Sequence, residues 1–80
     1  MLDEKTKELI AVGAAVTANC QSCLDVRCGK ARALGASDAD IRAAISMGVQ
    51  VRSGAAAKLD RFASGLSGAE ARCDESSPCC

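Results

Sequence analysis

The chain has 80 residues, enough for one domain, and its 10 Lys+Arg balance its 10 Asp+Glu. A neutral chain lacks the basic excess that releases counterions from phosphates, which argues against nucleic acid as a partner. Histidine, Trp and Tyr are absent and Phe62 is the only aromatic, which removes imidazole bases, Cys-His and Ser-His-Asp nucleophiles, His-ligated metals and base-stacking surfaces.

Asp3 caps a first predicted helix running from Glu4 to about Asn19. Leu2, Leu9, Ile10, Val12 and Val16 give it an apolar face at helical spacing. Asn19 and Cys20 break the run, and a second helix is expected from Gln21 to Leu34, with Gly35 as its C′ residue. Ser37 caps a third helix, with Asp40 three positions on in a box-like arrangement. Ile41, Ala44, Ile45, Gly48, Ala55, Leu59, Phe62 and Leu66 form one stripe, predicting a long helix from Asp38 to about Ser64 with a kink near Ser53-Gly54. Past Leu66 the periodicity ends, and Cys73 to Cys80 reads as a flexible tail. No segment alternates long enough for a strand, so the expected class is all-α.

Sixteen of the apolar residues are Ala, so the core is thin. A domain this small buries only about 60% of its unfolded surface. Self-association is the expected remedy, because Ala- and Gly-containing helices let backbones approach closely. Met1 to Lys7 lacks the apolar run of a signal peptide, and Leu9 to Ala18 is too short to span a bilayer. The expected location is the cytoplasm, without a membrane partner. There, six cysteines point to redox chemistry or metal binding more than to structural staples.

Cys20-Gln21-Ser22-Cys23 opens the second helix. Positions i and i+3 are helical neighbours, so the two sulfurs approach bonding distance. The free amides and partial positive charge of a helix N-terminus favour a thiolate, chiefly on the first cysteine. Cys20 is then the exposed attacking thiol and Cys23 its resolving partner. The alternatives are a buried pair of small residues or half of a zinc site, for which a second C-x-x-C is missing. Arg27 lies four residues past Cys23 and seven past Cys20, on the same helix face. Its guanidinium favours a thiolate but does not shuttle protons; a plain surface cation is the alternative. Glu8, taken alone, reads as a solvated surface residue. Cys28 lies about 7.5 Å along the axis from Cys23; it reads as a packing residue, or as one that meets a partner subunit or the tail.

Leu2 to Ile10, Asn19-Cys20-Gln21-Ser22-Cys23, Gly29-Lys30-Ala31 and Gly35-Ala36-Ser37 together resemble the carboxymuconolactone decarboxylase family, and within it the alkyl hydroperoxidase D-like branch. The resemblance covers residues 1–64. It implies an all-helical fold, assembly as a trimer or hexamer, and a C-x-x-C pair used in thiol–disulfide exchange and peroxide reduction. It also implies a proton relay of glutamate, histidine and cysteine. The glutamate, twelve residues before the first cysteine, matches Glu8. The histidine, four residues after the second cysteine, is replaced by Arg27. The relay is thus broken at its middle member, while disulfide exchange still has its nucleophile and leaving group.

The resulting expectation is a three-helix alkyl hydroperoxidase D-like domain over residues 1–66, with a cysteine-bearing tail over 67–80. It acts as a thiol–disulfide oxidoreductase with weak peroxidase activity. Cys20 attacks, Cys23 resolves, Arg27 stabilises charge and Glu8 accepts a proton. No organic cofactor is implied, and an external dithiol supplies electrons. The tail leaves alternatives. Cys73, Cys79 or Cys80 resolves a disulfide on Cys20. Or the vicinal Cys79-Cys80, which resembles the end of mercuric reductases, takes a soft ion such as Hg(II), Cu(I) or As(III), making the protein a metal or metalloid carrier. Or the tail is inert, and a structural role for the whole chain remains a further reading. Residues 41–66 carry Arg42, Arg52, Lys58 and Arg61 against Asp60, whereas 67–80 carry Glu70, Asp74 and Glu75 against Arg72. Either the tail lies back on the third helix or both segments are solvated.

Overall fold

The computed structural model describes residues 1–67, and within them the chain is all-α. Helix α1 spans Glu4–Thr17, α2 spans Gln21–Ala33 and α3 spans Asp38–Ser67. The expected order of three helices with a long third holds. Of the tail expected over residues 67–80, Ser67 is the last residue of α3, and the remainder, with Cys73, Cys79 and Cys80, lies outside the described residues. Among the described residues no helix is long and apolar enough to cross a membrane.

Each helix start has a local cause. The Asp3 carboxylate accepts the Thr6 amide at 2.7 Å and so caps α1. Cys20 is the N-cap of α2, its Sγ accepting the Cys23 amide at 3.2 Å. At α3 the capping box is reciprocal: the Asp40 amide donates to Ser37 Oγ at 3.1 Å and the Ser37 amide donates to Asp40 Oδ2 at 3.2 Å.

The two inner helix ends share one device. Gly35, at φ +97°, follows α2 in the left-handed region. Its amide donates to Arg32 O at 3.0 Å, and the Ala36 amide reaches back to Ala31 O at 3.0 Å, the paired bonds of a Schellman motif. Ala31 and Ala36 are then both buried, against Ile41 at the start of α3, with Leu9, Cys28 and Ile45 packed around them. Cys28 is half-buried against this cluster, one of the roles read for it. At the end of α1, Asn19 adopts φ +58°, its amide donates to Val16 O at 3.1 Å and the Cys20 amide to Ala15 O at 2.9 Å. This is the same motif with Asn in place of Gly, and it closes α1 at Thr17, two residues before the expected end.

Helix α3 packs chiefly on α1 and barely touches α2. The α1–α3 approach is close enough to require glycine at position 48 and to crowd a Cβ at position 13, 3.1 Å from the Ala44 carbonyl oxygen. A Cβ placed on Gly48 would collide with the Gly13 carbonyl oxygen and lie 2.8 Å from the Val16 Cβ. The Thr17 hydroxyl lies 3.1 Å from both the Gly13 and the Gly48 carbonyls, so one donor links the two helices. Val12, Ala15 and Val16 form the buried face of α1.

Two expectations about apolar faces are corrected. Leu2 and Ile10 are exposed: Leu2 precedes the Asp3 cap and lies outside α1, and Ile10 lies off the buried face formed by Val12, Ala15 and Val16. On α3 the stripe divides in the middle. Ile41 and Gly48 are buried, whereas Leu59, Phe62 and Leu66 are exposed at 65%, 64% and 73%. Helix α3 has 30 residues against 14 in α1 and 13 in α2, so its second half extends beyond the helices that could cover it. It also runs unbroken through Ser53-Gly54 and ends three residues past the expected Ser64.

Candidate redox site at the start of α2

The site grows out of the α1–α2 turn. Cys20 is at once the residue that completes the Schellman motif of α1 and the N-cap of α2. Its backbone is therefore tied on both sides, and its sulfur points at the first amides of α2. Cys20 and Cys23 are joined in a disulfide, with Cα atoms 5.3 Å apart, within the usual range for a bridge. Ser22 Oγ lies 3.8 Å from Cys20 Sγ. When the bond is reduced, the Cys23 amide that donates to Cys20 Sγ is placed to stabilise a thiolate there. Burial orders the pair against expectation: Cys20 is half-buried and Cys23 is exposed. The cause is Cys20's position in the interhelical turn, whereas Cys23 stands on the first turn of α2.

Glu8 of α1 and Arg27 of α2 meet across the helix pair. Arg27 Nη1 donates to both Glu8 carboxylate oxygens at 3.2 Å. The Glu8 side chain keeps only 14% of its exposure and Arg27 keeps 42%. Glu8 is thus not the solvated residue that it suggests in isolation, and Arg27 is not an unpaired surface cation. A guanidinium bound to a carboxylate presents a dipole, rather than a full charge, to groups farther along the helix. Among the described residues, no group of three or more His, Cys, Asp or Glu side chains could hold a metal ion.

Sequence reasoning missed two residues of this site. Arg52, on α3, donates from Nη1 to Val16 O at 3.0 Å and to Asn19 Oδ1 at 2.9 Å. Helix α1 has no basic residue in its own last turn, and Arg52 supplies that cation from another helix. Asn19 was legible as a helix C′ residue placed directly before the C-x-x-C. Arg52 carried no local signal, since its partners lie 33 and 36 positions away.

The model of the carboxymuconolactone decarboxylase family matches residues 1–63. The chain belongs to that family. The match covers α1, α2 and all but the last four residues of α3, with both cysteines of the pair, Glu8 and Arg27. Comparison with curated proteins gives no match, and comparison with solved structures gives none. Family membership and the bonded Cys20–Cys23 pair fit a redox-type role.

Proposed function

We propose that this member of the carboxymuconolactone decarboxylase family is a thiol–disulfide oxidoreductase. The observation that carries the reading is Cys20 itself: bonded to Cys23, capping a helix, and hydrogen-bonded to the amide that would hold its thiolate. In the reduced protein the Cys20 thiolate attacks one sulfur of a disulfide substrate, whose S–S bond breaks and whose first half leaves as a thiolate. Cys23, having lost its proton to water, then attacks the Cys20 sulfur and releases the second half. The pair ends oxidised, the substrate reduced by two electrons. An external dithiol returns the pair to its reduced form.

Glu8 and Arg27 mark where peroxide reduction weakens in this reading. Arg27 holds the position of the relay histidine and does not release a proton. Glu8, bound to it, accepts a proton only through water or directly. Peroxidase activity is therefore weak beside disulfide exchange. We place the reaction in the cytoplasm, among reduced thiols, and the working form is an assembly of identical chains. The exposed Leu59, Phe62 and Leu66 on the overhanging half of α3 favour a second copy as their cover.

The test is cysteine replacement. Serine is itself a good N-cap, so Cys20→Ser should keep the helix content seen by circular dichroism and abolish dithiol-dependent disulfide reduction. Cys23→Ser should accumulate a mixed disulfide on Cys20, visible by mass spectrometry. If Cys20→Ser turned over at the wild-type rate, the reading would be lost. Arg27→His restores the relay residue and should raise peroxide consumption above that of the wild type.

A further inference from the structure

Beside the disulfide lies an open cavity of about 260 Å³, lined by Ala15, Val16, Asn19, Cys20, Leu24 and Arg52, together with Gln21. Its lining contains one charge, the Arg52 guanidinium, and no carboxylate. Arg52 spends one nitrogen on two neutral oxygens, the Val16 carbonyl and the Asn19 amide. The ion pairs among the described residues engage Lys7, Arg27 and Arg32 with acids, and none of them involves Arg52. A guanidinium has five N–H donors in a planar fork suited to a carboxylate. Arg52 therefore presents an uncompensated cation, fixed in place by the α1–α2 turn, on the wall of the cavity that also exposes Cys20. Of the other walls, Ala15, Val16 and Leu24 are apolar, and Asn19 and Gln21 are polar but uncharged.

We propose that this cavity is the substrate subsite of the Cys20–Cys23 pair and that Arg52 makes it selective for small disulfides carrying a carboxylate. The inference rests on the oxidoreductase reading and adds the substrate class. The carboxylate pairs with Arg52, the short apolar arm lies along Val16 and Leu24, and the disulfide meets Cys20. The exchange is the one already described: Cys20 sulfur bonds to the substrate sulfur, a mercapto acid leaves, and Cys23 displaces the second mercapto acid. The protein dithiol loses two electrons and the substrate disulfide gains them. Dithiothreitol serves as the chemical reductant in the assay.

The experiment compares kcat/KM of the full-length protein for three probes: dithiodiglycolate, bis(2-hydroxyethyl) disulfide and cystamine, which are anionic, neutral and cationic. Each rate is divided by that of the same probe with free dithiothreitol, which removes intrinsic reactivity. The wild type should prefer the anionic probe over the neutral one by about tenfold, and the cationic probe should be the poorest, as expected for one charge pair near a protein surface. Arg52→Gln should bring the anionic-to-neutral ratio close to one, and Arg52→Lys should restore most of it. A merely structural role for Arg52 would lower both rates by the same factor and leave the ratio unchanged, which would overturn the proposal. Should Arg52→Gln fail to fold, the wild type still decides. The preference should shrink between low salt and about 0.5 M salt through screening, and a preference that persists at high salt, or none at all, would overturn the assignment. Activity that survives Cys20→Ser sinks the oxidoreductase reading, whereas Cys20-dependent turnover without charge preference sinks only the Arg52 subsite.

Discussion

Glu8 and Arg27 occupy neighbouring helices, and each supplies the other's charge. The Arg27 side chain keeps 42% of its exposure, so solvent screens the pair and its contribution is modest, about 1 kcal/mol. Glu8→Gln should lower the unfolding free energy obtained from urea titration by that order. The double variant with Arg27→Gln should lose less than the sum of the two single variants, since each removes the same interaction. Asp3 makes the pH prediction. Hydrogen bonds from Thr6, its side chain first and its amide second, hold the Asp3 carboxyl below the ordinary aspartate range. A carboxyl lowered in the folded state stabilises the fold above its unfolded value, and that contribution disappears as pH falls through the folded value. The wild type should therefore lose stability relative to Asp3→Asn, which keeps an oxygen acceptor, as pH falls below about 4. Thermal unfolding at stepped pH measures the difference, and parallel curves would refute it.

At the scale of the helices, the contact between α1 and α3 is set by absence of side chain. Gly48 sits where a methyl group would strike backbone. Backbone has less freedom to move aside than a flexible side chain. Gly48→Ala should cost about 1–3 kcal/mol through overpacking, despite the better helix propensity of Ala. Gly54→Ala is the control, because a methyl there meets nothing within 4 Å, and propensity predicts a gain of about 1 kcal/mol. Denaturant titration of the two variants should move in opposite directions. The α1–α2 turn follows the same principle from the other side. Asn19 tolerates the left-handed conformation that a β-branched residue resists. Asn19→Gly should preserve the turn, and Asn19→Val should both destabilise the fold and displace the N-cap sulfur.

The molecule as a whole is unevenly covered. Val12 is the only large side chain among the described residues with essentially no exposure. The one aromatic residue, Phe62, stands out in solvent on the overhanging half of α3 with Leu59 and Leu66. Those three repeat at i, i+3 and i+7, one face of one helix. If a second copy covers that face, replacing Leu59 and Phe62 with Asp should lower the sedimentation coefficient to that of the monomer while the Cys20–Cys23 disulfide still forms. A wild type that sediments as a monomer at tens of micromolar would remove the assembly from the account.

What could be read from the chain alone was whatever depends on neighbours within one helical turn or one helix boundary. The Asp3 cap, the Ser37–Asp40 box, the Gly35 stop, the cysteine pair and the long third helix are of that kind, because their partners lie within a few residues. Distance in sequence hid the rest. Periodicity marks a face as apolar but does not say whether anything reaches it, so the α3 stripe looked uniform while only its first half is covered by α1 and the residues around Ala31. The pairing of Glu8 with Arg27 and the reach of Arg52 to Asn19 join residues 19 and 33 positions apart. Such contacts exist only once the helices have packed, and that packing set the electrostatic surroundings of the disulfide.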